Sequence, residues 1–262
     1  MKRISKLLVL VLALSMAFTA AFAEGETPTV TAYKADAPIT VDGDLSEWTL
    51  DSPIVIDQES QVIRDLSFWQ GASDLSCTVY VMYDETNLYL AVDVTEDTPF
   101  GAIEMLPLDG EDNFKIYIST DPAADPARTE YGTNDFLLYL IVDNNYWDTA
   151  FDRSMIEKDY LERFTSKGMD GGEDVLEGYE RAAATTSTGF IFEAVIPWAN
   201  FSNDRIPVYT PASGDTIKFD FAITDISYPC PGTEYIPQIA WTGTKEAMDT
   251  NPSSWGRLTL AE

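Results

Sequence analysis

The stretch from Cys77 to Val94, CTVYVMYDETNLYLAVDV, constrains this chain more than any other. Residues 77–83 alternate and are rich in β-branched and aromatic types. Leu88, Leu90, Val92 and Val94 recur at every second position, and residues 84–87 between the two runs are a turn signal. A period of two places such residues on one face of a pleated strand, and branched side chains resist the helical alternative. The stretch therefore predicts a β-hairpin.

The same pattern recurs along the chain. Residues 113–119 place Phe114, Ile116 and Ile118 inward, with Lys115 and Tyr117 outward. Residues 136–142 are apolar on both faces, as a central strand would be, and 147–151 pair with them across the turn at 143–145. Residues 179–186 and 189–196 read as a second hairpin, and 216–223, 239–242 and 255–260 as the closing strands. One convincing helix is predicted, over 154–166, with a short helical turn at 197–201. Residues 121–134 and 167–178 read as long loops. Many evenly spaced strands without alternating helices predict an all-β fold, an antiparallel, jelly-roll-like β-sandwich with one short helix.

Residues 1–23 stand apart. Lys2, Arg3 and Lys6 precede an apolar run, and Ala21-Phe22-Ala23 offers small residues at the positions a signal peptidase reads. The expected organisation is a signal peptide at 1–23, a polar arm at 24–37 and one sandwich over 38–262, in a secreted, extracellular protein. No second apolar run is long enough to span a bilayer, so membrane insertion is not expected. Of 262 residues, 44 are Asp or Glu and 16 Lys or Arg, a formal charge of −28. That charge argues against nucleic acid and anionic membranes, and suits cations, neutral ligands or a solvated acidic surface. The two cysteines, Cys77 and Cys230, are permitted a disulfide by export, and the sequence leaves the pairing open. Histidine is absent, which excludes Ser-His-Asp and Cys-His catalysis and any His-held metal.

The segment ITVDGDLSEW, residues 39–48, offers Asp42, Asp44 and Glu47 as hard oxygen ligands for a structural calcium ion. The spacing is not that of an EF-hand, because Glu47 stands at the glycine position and Pro53 at the bidentate glutamate position. The alternative is a turn whose aspartate bonds its own backbone and leads into the fold.

Several segments, taken together, resemble family 9 carbohydrate-binding modules and their DOMON-like relatives. ITVDGDLSEW resembles the family's opening, VYVMYDETNLYLAVDVTED its hairpin, GEDNFKIYIST its Asp-Ser-Val-Glu strand, GFIFEAVIPW its strand into Ile-Pro-Trp, and IKFDFAITDIS, IAWTG and WGRLTL its closing strands. The resemblance spans residues 39–260. It implies the sandwich and, with it, glycan binding. In sugar-binding members two tryptophans enclose a terminal ring. Trp241 matches the second. The first falls near Asp109, and the family's sugar-binding glutamate falls at Lys115.

Sugar rings stack on aromatic faces beside polar groups that orient their hydroxyls. Trp241, followed by a polar stretch, is the first candidate platform. Trp147, with Tyr146 and Asn145, is a second, and Trp69 beside Phe68 a third. Trp48, Trp198 and Trp255 read as structural. The acids lie mostly in turns or at outward strand positions, and no spacing singles out a glycosidase pair. The leading expectation is thus a non-catalytic module binding polysaccharide or oligosaccharide, with no cofactor beyond a structural calcium ion. The alternatives are a structural or adhesive module facing a protein partner and, third, a glycoside hydrolase.

Overall fold

The alternating segments form strands because each can bury one face and bond its backbone to neighbours on both sides. The structure, a computed structural model, describes residues 27–97, 112–141, 160–165, 168–169, 174–202, 206–225, 236–243 and 248–262. Fifteen strands lie among them: β1 (Thr29–Lys34), β2 (Ile54–Ile56), β3 (Val62–Arg64), β4 (Leu75–Tyr83), β5 (Asn87–Glu96), β6 (Asn113–Ser119), β7 (Asp135–Ile141), β8 (Tyr160–Thr165), β9 (Gly168–Met169), β10 (Asp174–Val175), β11 (Glu180–Thr185), β12 (Gly189–Pro197), β13 (Thr216–Thr224), β14 (Gln238–Ala240) and β15 (Gly256–Ala261).

The hydrogen-bonded path runs β10-β8-β7-β6-β13-β15-β1-β4-β5-β12-β11, with β14 joining β13 to β3, β2 on β4 and β9 on β8. The path folds back on itself. Phe114 of β6 meets Phe192 of β12 edge-on at 4.9 Å between ring centroids, although five strands separate them along the path. The two resulting layers enclose Leu88, Leu90, Val92, Val94, Phe114, Ile116 and Ile118, as their alternation requires.

Both outer faces are covered as well. Residues 248–255 lie over the β6–β7–β13 face, where Tyr117, Tyr139 and Trp255 cluster with Met248. Residues 35–48 lie over the β4–β5–β12 face, where Ile39 and Trp48 pack with Met82, Tyr89 and Ala91.

Four expectations change, and one is the loop read over 167–178, which contains β9 and β10. The arm at 24–37 contains β1, whose Val30 and Ala32 are buried. It pairs in parallel with β15 and then with β4, so the sandwich is mixed rather than wholly antiparallel. Its threonines, read as polar, are good strand formers that let β1 bridge the two layers. The helix predicted over 154–166 is contradicted where it is described, because Tyr160–Thr165 is β8. A strand as apolar as β7 needs partners on both edges, and β8 supplies the second, with Leu138 opposite Leu161. The short helical turn after β12 is present at Trp198–Phe201.

Candidate functional site

The acidic turn at 42–44 does not point its carboxylates at a common centre. Asp42 Oδ1 accepts from Asp44 N at 3.0 Å, and Asp44 Oδ1 caps the following 3₁₀ turn by accepting from Ser46 N at 2.8 Å. Glu47 accepts from the Thr40 backbone N–H. The expected calcium trio is thereby corrected: each acid is used locally, as an Asx-type turn uses it. What the turn presents is donors. The backbone N–H groups of Asp42 and Gly43 and the indole N–H of Trp48 all converge on the carboxylate of Glu193, which is fully buried on β12.

Trp241 is not an open platform. It lies in phase with Ile239, and that phase faces the inner core. Only 6% of the residue is exposed. Its six-membered ring sits over Gly256, where an added Cβ would lie 2.4 Å from Cζ3. The polar residues that follow do not pull it outward, because the bare glycine in β15 leaves a seat for the indole. Trp48, Trp198 and Trp255 are buried, as expected of structural tryptophans. Trp69 is partly buried against the core and donates Nε1–H to the Leu75 carbonyl at 2.8 Å, while its neighbour Phe68 is 43% exposed. Trp147, Tyr146, Asn145 and Asp109 lie outside the described residues.

Lys115, expected to face solvent, is 1% exposed. It does point to the outer face, but the segment at 248–255 closes over it. Its Nζ lies 3.4 Å from Asp249 Oδ2 and 5.0 Å from the centre of the Tyr139 ring. Tyr117 donates its hydroxyl to Asp249 Oδ1 at 2.6 Å. Burial, then the Asp249 charge, pushes the Tyr117 phenol well above its usual range, so it remains a donor. The Asp249 side chain is itself half exposed.

A second acidic group was missed. Carboxylate oxygens of Glu96, Asp112 and Asp225 lie within 4.8 Å of one another, and all three residues are buried. Among the described residues, Glu96 Oε1 accepts no hydrogen bond. Burial, then the nearby Asp225 charge, raises the Glu96 carboxyl to about 8. The signal was in the sequence. Glu96 continues the inward series of Leu88 to Val94, Asp112 precedes that of Phe114 to Ile118, and Asp225 follows that of Ile217 to Ile223. Three core-facing series thus end in an acid, two in one layer and one in the other. Buried carboxylates cost several kcal/mol each unless neutralised or paired, and an all-oxygen set suits a hard cation.

Cys77 is buried in β4 with no disulfide among the described residues, and burial pushes its thiol above the usual range; Cys230 lies outside the described residues. A cleft of about 360 Å³ runs between residues 34–40 and Glu47, Thr49 and Met82, without an aromatic in its lining, so it offers no stacking surface.

Comparison with known proteins fits this architecture. Residues 56–262 match the family described as "Carbohydrate family 9 binding domain-like". Over 218 residues the chain is 23% identical to endo-1,4-β-xylanase A of Thermoanaerobacterium saccharolyticum; the match covers 83% of this chain but spans only 14% of that enzyme. A family 9 module from Caldicellulosiruptor kristjanssonii solved with glucose superposes with a TM-score of 0.54 at 15% identity, covering 88% of this chain and 95% of that one. The same organism's module with cellotriose gives 0.54 at 16% identity, covering 88% and 93%. At such identities the structures speak to the fold, and the family match speaks to kinship. The chain belongs to the carbohydrate family 9 binding domain-like family, whose members are non-catalytic, carbohydrate-binding modules.

Proposed function

We propose that this chain is an exported module that holds a neutral gluco-oligosaccharide or polysaccharide chain without acting on it. The family match over 56–262 is the observation that carries the reading. The glucose and cellotriose named for the two Caldicellulosiruptor kristjanssonii structures set the ligand class to test first. The leader-like residues 1–23 support export. With Trp241 enclosed, the aromatic shelf assigned here is Phe68, exposed on its turn and backed by Trp69. Stacking of a sugar ring there needs only an accessible π-face and polar neighbours, which Asp65 and Gln70 provide.

The Glu96–Asp112–Asp225 group is assigned as the seat of a structural calcium ion. The donor set fits, since all three groups are carboxylates and one oxygen accepts no hydrogen bond among the described residues. Such an ion would offset two of the three carboxylate charges and tie the layer carrying β5 to the layer carrying β6 and β13.

Depletion from solution by insoluble cellulose and xylan tests the sugar reading. The chain is expected to partition onto one of them, and Phe68→Ala with Trp69→Phe to weaken retention severalfold. A chain that stays in solution with every polysaccharide and oligosaccharide tried is a scaffold facing a protein partner instead.

A further inference from the structure

Resting on the carbohydrate-binding reading, we propose that Asp249 is the residue that reads sugar hydroxyls, held in position by Lys115 and Tyr117. Lys115 and Tyr117 are neighbours in phase on β6, 1% and 0% exposed. Both reach outward through the sheet face to one carboxylate, Tyr117 to Oδ1 at 2.6 Å and Lys115 to Oδ2 at 3.4 Å. Neither donor can move far, because Tyr117 packs against Trp255 at 5.6 Å between ring centroids and Lys115 lies over the Tyr139 ring. The carboxylate they fix is nevertheless half open to solvent.

That combination is unusual for a surface aspartate. An ordinary surface carboxylate is mobile and fully hydrated, and a ligand must pay its ordering entropy on binding. Asp249 is ordered before any ligand arrives. A carboxylate has about four acceptor positions, and the two buried donors use two. The exposed half of the side chain leaves room for further donors. Adjacent hydroxyls of a sugar ring are the ligand chemistry that matches: neutral, rich in donors, and able to offer two O–H groups to two oxygens of one carboxylate. An anionic glycan would be repelled by the same group and by the net charge of −28.

The strap that carries Asp249 is pinned at both ends of this contact. Trp255 Nε1 donates to the Met248 carbonyl at 2.9 Å, and Lys218 Nζ donates to the Trp255 carbonyl at 2.8 Å. Asp249 is therefore presented by a fixed segment rather than a swinging one. Ile63 of β3 packs against the same cluster as Met248, which adds to the cover on this face.

The test is calorimetric titration of the chain with cellotriose, glucose and the monodeoxyglucoses. Asp249→Asn keeps one acceptor, for Tyr117, and its melting temperature is measured because Lys115 loses its charged partner. It is expected to lose tenfold or more in affinity for cellotriose and to bind one deoxyglucose as well as the unaltered chain does. Tyr117→Phe, which leaves the carboxylate but frees it to move, is expected to lose a fewfold. Asp249→Ala also strands Lys115, so its melting temperature is measured alongside. Binding by folded Asp249→Asn and Asp249→Ala within twofold of the unaltered chain overturns the assignment while leaving sugar binding intact. Absence of binding by the unaltered chain overturns both.

Discussion

The indole N–H of Trp48 donates to Glu193 Oε1 at 2.5 Å. That one bond ties the opening turn to the centre of β12, 145 residues away in sequence. It shares its acceptor with two backbone N–H groups, so one buried carboxylate satisfies three donors. Loss of that acceptor leaves all three donors stranded. Glu193→Ala is expected to destabilise the fold by about 3 kcal/mol, and Glu193→Gln, which keeps an acceptor, by about half as much. Urea unfolding followed by tryptophan emission measures both; equal stability of all three proteins would refute this role.

Gly256 is the seat of Trp241. An alanine there would place its Cβ against Cε3, Cζ3 and Cη2 of the indole, all within 3 Å. Overpacking of this kind costs about 1–3 kcal/mol. Gly256→Ala should lower the melting temperature and shift the tryptophan emission to the red as the ring is pushed toward water. An unchanged spectrum would place Trp241 elsewhere.

Burial raises the Asp220 carboxyl to about 7, although the backbone N–H groups of Phe221 and Gly256 oppose the shift. The sign follows from linkage. The folded state holds this proton more tightly than the unfolded chain, whose aspartates titrate near 4, so stability falls as pH rises from about 4 to about 7. Asp220→Asn, though less stable throughout, should show a flatter decline in melting temperature over that window. A parallel decline in both proteins would assign the effect to other groups.

Calcium should raise the melting temperature at neutral pH by mass action on the native state, and a chelator should reverse the rise. Glu96→Gln and Asp225→Asn should abolish the response, whereas Asp42→Asn and Asp44→Asn should leave it unchanged. A response lost with the turn acids and kept with the buried ones would invert the assignment.

Most of the fold was legible because alternation is a local signal. The Leu88 series on one face and the Phe114 series inward are readable from the sequence, and both lie in the core. The site was less legible, for reasons that differ by residue. Asp42 and Asp44 are a cluster in sequence but spend their oxygens on adjacent backbone, and no composition argument separates those two uses. Trp241 was judged by the polar residues after it, whereas its phase with Ile239 decides its direction. Lys115 stands on the outward phase of β6, yet its cover comes from residues 248–255, which no local pattern links to β6. Glu96, Asp112 and Asp225 were readable as acids in core phase, but only the folding of one layer onto the other brings them together.

Carbohydrate recognition is tested most directly by calorimetric titration of the folded chain with cellotriose in the presence of calcium. The account predicts saturable one-site binding that weakens when Asp249 or Phe68 is replaced. A flat titration with cellotriose and with xylo- and manno-oligosaccharides, from a protein shown to be folded, would contradict it.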